Sequence, residues 1–90
     1  MTIKELEQIL IDEKVRKGDY SLSDSQPIIY DGFLIRKGDH GNWLLYYMER
    51  GQKDLLATCD KEHKACIEFL KLMATEDKQL QKYIPKSEVV

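Results

Sequence analysis

The stretch that most limits how this chain can fold is Asn42-Trp43-Leu44-Leu45-Tyr46-Tyr47-Met48-Glu49-Arg50-Gly51-Gln52-Lys53. Six apolar or aromatic side chains in unbroken succession, closed by a glycine turn, read as a strand in the middle of a sheet. A central strand needs a neighbour on each side. Phe33-Leu34-Ile35-Arg36 precedes it across Gly38-Asp39-His40-Gly41, and Asp54-Leu55-Leu56-Ala57-Thr58 follows it across Glu49-Arg50-Gly51-Gln52. Both connections hold glycine where a hairpin needs positive φ, so the expectation is an antiparallel meander of three strands.

Helices flank that meander. Thr2-Ile3-Lys4-Glu5 has the form of a capping box, and Ile3, Leu6, Ile9, Leu10 and Val15 recur at helical spacing, so a first helix is expected over about residues 2–16, with Gly18 just past its end. Asp60 reads as the N-cap of a second helix over 61–74, whose apolar stripe is Cys66, Phe69, Leu70 and Met73. Thr75-Glu76-Asp77-Lys78 can cap a further short helix carrying Leu80, Tyr83 and Ile84, which Pro85 ends. Tyr20-Ser21-Leu22 suggests a short extended segment and a possible fourth strand. Ser23-Asp24-Ser25-Gln26-Pro27 is turn chemistry, and Asp31-Gly32 suits either a tight turn or a bulge.

Ninety residues give one small core, so the fold expected is a two-layer α+β domain over residues 1–85 with both helices on one sheet face, and a frayed tail at 86–90. Which side chains face the helices depends on register. With Glu49-Arg50-Gly51 as the loop, Trp43, Leu45 and Tyr47 share a face with Lys53, Leu55 and Ala57. Leu44, Tyr46 and Met48 then share the other with Asp54, Leu56 and Thr58. The first set makes the better core, whereas a two-residue loop would turn Leu44 and Tyr46 inward. Either way one ring of the Tyr46-Tyr47 pair points away from the helices.

That arithmetic leaves apolar surface over. Leu34, Leu44, Tyr46, Met48 and Leu56, together with Tyr30, Arg36 and Asp54, are expected on the uncovered face, and an apolar patch ringed with charge marks an interface. The formal charge of −2 arises wholly from residues 18–57, where Asp19, Asp24, Asp31, Asp39, Glu49 and Asp54 outnumber four bases. Such a balance argues against direct nucleic-acid binding, which needs cations gathered on one face. It suits a basic protein partner, with Asp31, Asp39, Glu49 and Asp54 as the acids that would meet it. No apolar run approaches the about 20 residues that span a bilayer. The acidic start Met1-Thr2-Ile3-Lys4-Glu5 is unlike an export signal, so the expected location is the cytoplasm.

Catalytic and metal chemistry find little footing. Cys59, His63 and Cys66 form a Cys-x3-His-x2-Cys string with Asp60 and His40 as further donors, and such ligands suit zinc. The spacing matches no standard zinc module, and Cys66 is wanted in the helical core stripe, so no metal or other cofactor is expected. Asp39-His40 and His63 could serve as acid and base, with Cys59 or Ser25 as nucleophile, but only residue type supports this. The expectation is that the chain is not an enzyme.

The segment Gly41-Asn42-Trp43-Leu44-Leu45-Tyr46-Tyr47-Met48-Glu49-Arg50-Gly51-Gln52-Lys53, followed by Cys59-Asp60-Lys61-Glu62-His63-Lys64-Ala65-Cys66 and Phe69-Leu70, resembles a family of small immunity proteins from bacterial polymorphic-toxin systems. In that family a strand reading roughly Gly-x-Trp-x-x-Tyr-Tyr-x-Glu-Arg-Gly leads into a further strand and an acidic-capped helix containing Ala-Cys. The likeness covers about residues 41–70, and Asp19-Tyr20-Ser21-Leu22 is similar to an extended Tyr-x-Leu element of the family. It implies a non-catalytic inhibitor that binds a cognate toxin domain and blocks its active site, and for the acidic patch a basic-surfaced nuclease is the natural target. Trp43, Tyr47, Glu49, Arg50 and Gly51 carry over as fold determinants, with Glu49 and Arg50 placed to pair at the hairpin. The alternative is a homodimerising or adaptor domain that uses the same patch on itself, which makes a monomer or a weak homodimer the expected state.

Overall fold

A computed structural model describes residues 1–24, 26 and 29–86. Helix α1 spans Ile3–Asp12, then come strands β1 (Tyr20–Ser21), β2 (Gly32–Lys37), β3 (Trp43–Glu49) and β4 (Gln52–Cys59), helix α2 (Glu62–Ala74) and a 3-10 helix at Lys78–Tyr83. The fold is α+β. The sheet order is β1-β2-β3-β4, with β2, β3 and β4 an antiparallel meander as expected and β1 added parallel to β2. A parallel neighbour needs a connection longer than a hairpin, and the ten residues between β1 and β2 supply it.

The capping box is formed: the Glu5 amide donates to Thr2 Oγ1 at 3.2 Å and the Thr2 amide to Glu5 Oε1 at 3.2 Å. Its helix stops four residues sooner than its apolar spacing suggests. Lys14 turns left-handed with φ 58°, the Lys14 amide donates to Ile11 O, and the Val15 amide donates to Leu10 O. These two bonds make a Schellman motif, in which Val15 folds back on Leu10 and both are buried. Lysine therefore takes the position usually given to glycine, while Gly18 lies in a 3-10 turn at Lys17–Asp19.

The second helix begins at Glu62, with Lys61 and not Asp60 as the N-cap residue. Asp60 instead lies 3.9 Å from Lys64, and Glu62 Oε2 accepts from the Ile3 amide at 2.9 Å, tying the starts of the two helices together. Beneath α2, the side chains of Leu6, Leu10, Phe33, Ile35, Leu45, Phe69, Leu70 and Leu80 close into one core. Phe33 meets Tyr47 and Phe69 edge-on, at centroid distances of 5.0 and 6.3 Å. The expected short third helix is present as a 3-10 helix, held by Tyr83 Oη donating to Glu13 Oε2 at 2.7 Å. The tail expected at 86–90 lies, from residue 87 on, outside the described residues.

The register differs from the preferred reading. Glu49 pairs with Gln52, so the loop is the two residues Arg50 and Gly51, at φ 51° and 80°, a primed turn that follows the strand twist. Yet Trp43, Leu45 and Tyr47 still face the core. A bulge reconciles the two: Leu45 pairs with Ala57 while Tyr46 pairs with Leu55, so Leu56 is the extra residue. That insertion sets Ala57 and Cys59 beside the core and leaves Leu55 exposed instead of inward. The tip is fastened by Asp31 Oδ1, which accepts from the Arg50 amide at 3.0 Å, and no Glu49–Arg50 ion pair forms among the described residues.

Candidate partner-binding surface

The ten residues expected at an interface do not form one patch. Tyr30, Asp31, Glu49 and Asp54 gather at the β3–β4 hairpin end of the sheet. There the Gly51 amide donates to Tyr30 O, and the Tyr30 ring, 65% exposed, lies 3.8 Å from where a Cβ on Gly51 would sit. Asp39 belongs to the opposite end. It occupies the β2–β3 connection, where the Gly38 amide donates to Asn42 O, more than about 20 Å away along β2 at the usual strand rise.

Two further carboxylates join the hairpin end. The Tyr47 hydroxyl is pushed above its ordinary value by desolvation and then by the carboxylates of Glu76, Asp31, Glu49 and Asp19. Asp54 is paired with Tyr47 across β3 and β4, so the bulge puts it on the helix side of the sheet and not on the uncovered face where it is expected. Asp19 arrives there because β1 runs parallel to β2, and Glu76 because it follows the last turn of α2. Neither proximity has a local sequence signal, since each depends on which strand or helix end meets the hairpin.

Leu34, Arg36, Tyr46 and Met48 lie on the outer face as expected, but less of that face is open. Leu34 and Met48 are buried with Ile29 in a second small apolar cluster against which Tyr46 packs. The cause is the β1–β2 connection, which has to cross somewhere and lays Ile29 over the sheet. Arg36 is tied down by Ser21 and Asp24. What stays exposed is the edge strand: Leu55 at 56% and Leu56 at 43%. Leu56 is among the residues expected at the interface and Leu55 is not, because only the bulge brings Leu55 outward. A groove of about 500 Å3 also runs beside α1, with Ile11, Tyr20, Ile29 and Tyr30 in its walls.

The candidate metal donors are scattered. Cys66 is fully buried and burial pushes its thiol up to about 12, whereas Cys59 is half-buried at the end of β4 with its thiol raised by burial and then by Glu68 and Asp60. His63 is exposed, with Nδ1 beside the Met1 amino group, and His40 is exposed in the β2–β3 connection. Among the described residues no three His, Cys, Asp or Glu side chains are grouped to hold a metal ion, and Ser25 lies outside those residues. No helix among them is long and apolar enough to cross a membrane. No family model, curated protein or solved structure matches the chain.

Proposed function

We propose that this chain is a non-catalytic immunity protein that neutralises a cognate toxin domain in the cytoplasm by seating the hairpin end of its sheet over the toxin's active site. The observation that carries the reading is the exposed Tyr30 ring against Gly51 of the β3–β4 turn, which Asp31 fastens and which Glu49 and Asp54 flank. A rigid aromatic with a polar tip is a favoured interface anchor, and the surrounding carboxylates suit a basic cleft such as that of a nuclease. The resemblance of residues 41–70 to immunity proteins supplies the biological class. Tyr30 is the anchor in this reading, Glu49 and Asp54 steer encounter, and Asp31 holds the turn in shape. Nucleic acid and membrane are not direct partners in it.

The test is coexpression with the toxic domain encoded beside the chain's own gene. Growth should be rescued and a complex recovered. Tyr30→Ala should weaken that complex at least about tenfold, as truncation of an anchor does, with an unchanged melting temperature because the ring is exposed. Absence of both rescue and complex would count decisively against the reading. The edge strand favours one second reading, self-association through Leu55 and Leu56. Sedimentation equilibrium showing a concentration-dependent dimer that Leu55→Lys abolishes would support that alternative.

A further inference from the structure

While the hairpin end is acidic, the outer face of the sheet presents cations. Arg36 and Lys53 line an open groove of about 310 Å3 whose apolar floor is Leu34, Met48 and Ile29, with Asp24 on its rim. Arg36 is held from below: Nη1 donates to Ser21 O at 3.2 Å and Ile35 O at 2.8 Å, and Nη2 to Ser21 Oγ at 2.7 Å. Ser21 is itself buried, so the guanidinium is pre-set in one orientation. Its remaining partner is different in kind. Nε donates to Asp24 Oδ1 at 2.7 Å, yet the Asp24 side chain is 95% exposed, and an ion pair with one member in water is cheap to exchange. Lys53 is steadied by the Tyr46 ring, with Nζ 4.9 Å from its centroid.

The geometry points to a docking groove for an acidic, extended segment of a partner protein. One carboxylate replaces Asp24 on Arg36, an apolar side chain caps the narrow strip of Leu34 and Met48 that Ile29 leaves open, and a second carboxylate meets Lys53. Spacing supports that occupant. Arg36 pairs with Leu44 and Lys53 with Met48, so the two cations stand four residues apart along β3 and two strands apart across it, about 16 Å between Cα atoms on ordinary strand dimensions. Side chains at positions i, i+2 and i+4 of an extended segment share one face and cover about 13 Å. The pattern Glu-x-Leu-x-Glu therefore matches cation, floor and cation in turn. In this arrangement Asp24 is an internal stand-in for the partner's first carboxylate. The groove adjoins the hairpin end at Gly51, but its cations, Arg36 and Lys53, have no part in the toxin-binding reading, so the inference stands apart from that reading.

The probe is the capped peptide acetyl-Glu-Ser-Leu-Ser-Glu-amide, titrated into the full chain at low salt and followed by NMR. Shift changes are expected at the Arg36 Nε–H and the Leu34 and Met48 methyls. Asp24→Asn, at a fully surface position, should tighten binding about two- to fivefold by removing the competing carboxylate. Lys53→Gln should weaken it by a similar factor, and Arg36→Gln by at least about tenfold. Arg36→Gln also loosens Ser21, so if that variant unfolds, Asp24→Asn and Lys53→Gln by themselves decide between binding in the groove and its absence. Equal binding of the Gln-Ser-Leu-Ser-Gln peptide would overturn the proposal. So would an affinity that Asp24→Asn leaves unchanged, or equally tight binding of free azelate, which would point to a small dicarboxylate as the occupant.

Discussion

The two faces of the sheet are built from the same strands and finished in different ways. On the inner face, Phe33, Ile35 and Leu45 are covered by α2, with Leu6 and Leu10 of α1 completing the same core. On the outer face, among the described residues, Leu34 and Met48 form a small cluster with Ile29, against which Tyr46 packs. A helix brings a stripe of side chains that interlock with the strands over several turns, and a crossing segment brings one or two. An unbroken apolar strand therefore does not need two helical layers. A connection obliged to pass from a parallel strand can serve as the second cover, leaving the ends and the far edge for contact.

The comparison breaks first, and most heavily, at the core. Leu45→Ala should cost about 3–5 kcal/mol, because the cavity lies where α2 and the strands cannot collapse onto it. Leu34→Ala should cost about 2 kcal/mol, since the single segment above it can settle inward. Urea unfolding of both variants measures the gap, and equal losses would mean that the outer cover is as rigid as the inner one. Close behind Leu45→Ala comes Gly32→Ala. Gly32 has φ 142°, and an added Cβ would lie 2.2 Å from the Asp19 carbonyl oxygen, so about 3 kcal/mol of strain is expected as β1 is pushed off β2. Amide exchange should then show residues 20–22 opening while β3 stays protected; uniform loss of protection would mean that the outer cover and the inner core unfold as one unit.

A smaller effect sharpens the inner side. Glu13 Oε2 accepts from Tyr83 Oη at 2.7 Å and Lys82 Nζ at 3.1 Å, fastening the final 3-10 helix to the end of α1. The hydrogen bond from Tyr83, and then Lys82, hold the Glu13 carboxyl below its usual 4.5. A lowered folded value stabilises above the ordinary carboxylate range, and that stability is lost as pH falls through the folded value. The bond to Glu13 raises Tyr83, so its contribution is whole below the usual 10 and fades as pH rises through the folded value. Tyr83→Phe should flatten both limbs of a stability-against-pH curve. If the acid limb is unchanged, the carboxylates elsewhere set it.

Local chemistry was legible and long-range placement was not. The Thr2–Glu5 box, the three-strand meander and the apolar stripe of α2 follow from spacings of a few residues. The inward set Trp43, Leu45 and Tyr47 and the outward Tyr46 match the expectation by another route, because the bulge offsets a loop one residue shorter than expected. The Schellman ending of α1 is hidden in the sequence because a lysine takes the left-handed position, where glycine is the usual signal. The bulge at Leu56 is hidden because both β4 leucines are apolar and alternation cannot say which one is extra. Of the candidate surface, Tyr30, Asp31, Glu49 and Asp54 do meet, since a hairpin brings its own ends together. Asp39 shares only their charge, and charge has no address in the fold. The burial of Leu34 and Met48 depends on the path of the β1–β2 connection, which parallel pairing dictates and no local motif records.

The smallest expected effect tests whether the outer edge is truly unused by the fold. Leu55 and Leu56 are 56% and 43% exposed, and adjacent surface leucines on an edge strand invite pairing with another chain, a liability that the bulge at Leu56 partly blunts by bending the ladder. If they contribute nothing to the chain's own packing, Leu55→Lys should alter stability by less than about 0.5 kcal/mol, the range of ordinary surface substitutions. Solubility should rise at the same time, because a charge on the edge opposes strand addition. Urea unfolding at low protein concentration reads the first quantity and light scattering at high concentration the second. A loss above about 1 kcal/mol would mean that Leu55 is packed within the native protein, and the contrast between a closed inner face and an outward edge would have to be withdrawn at β4.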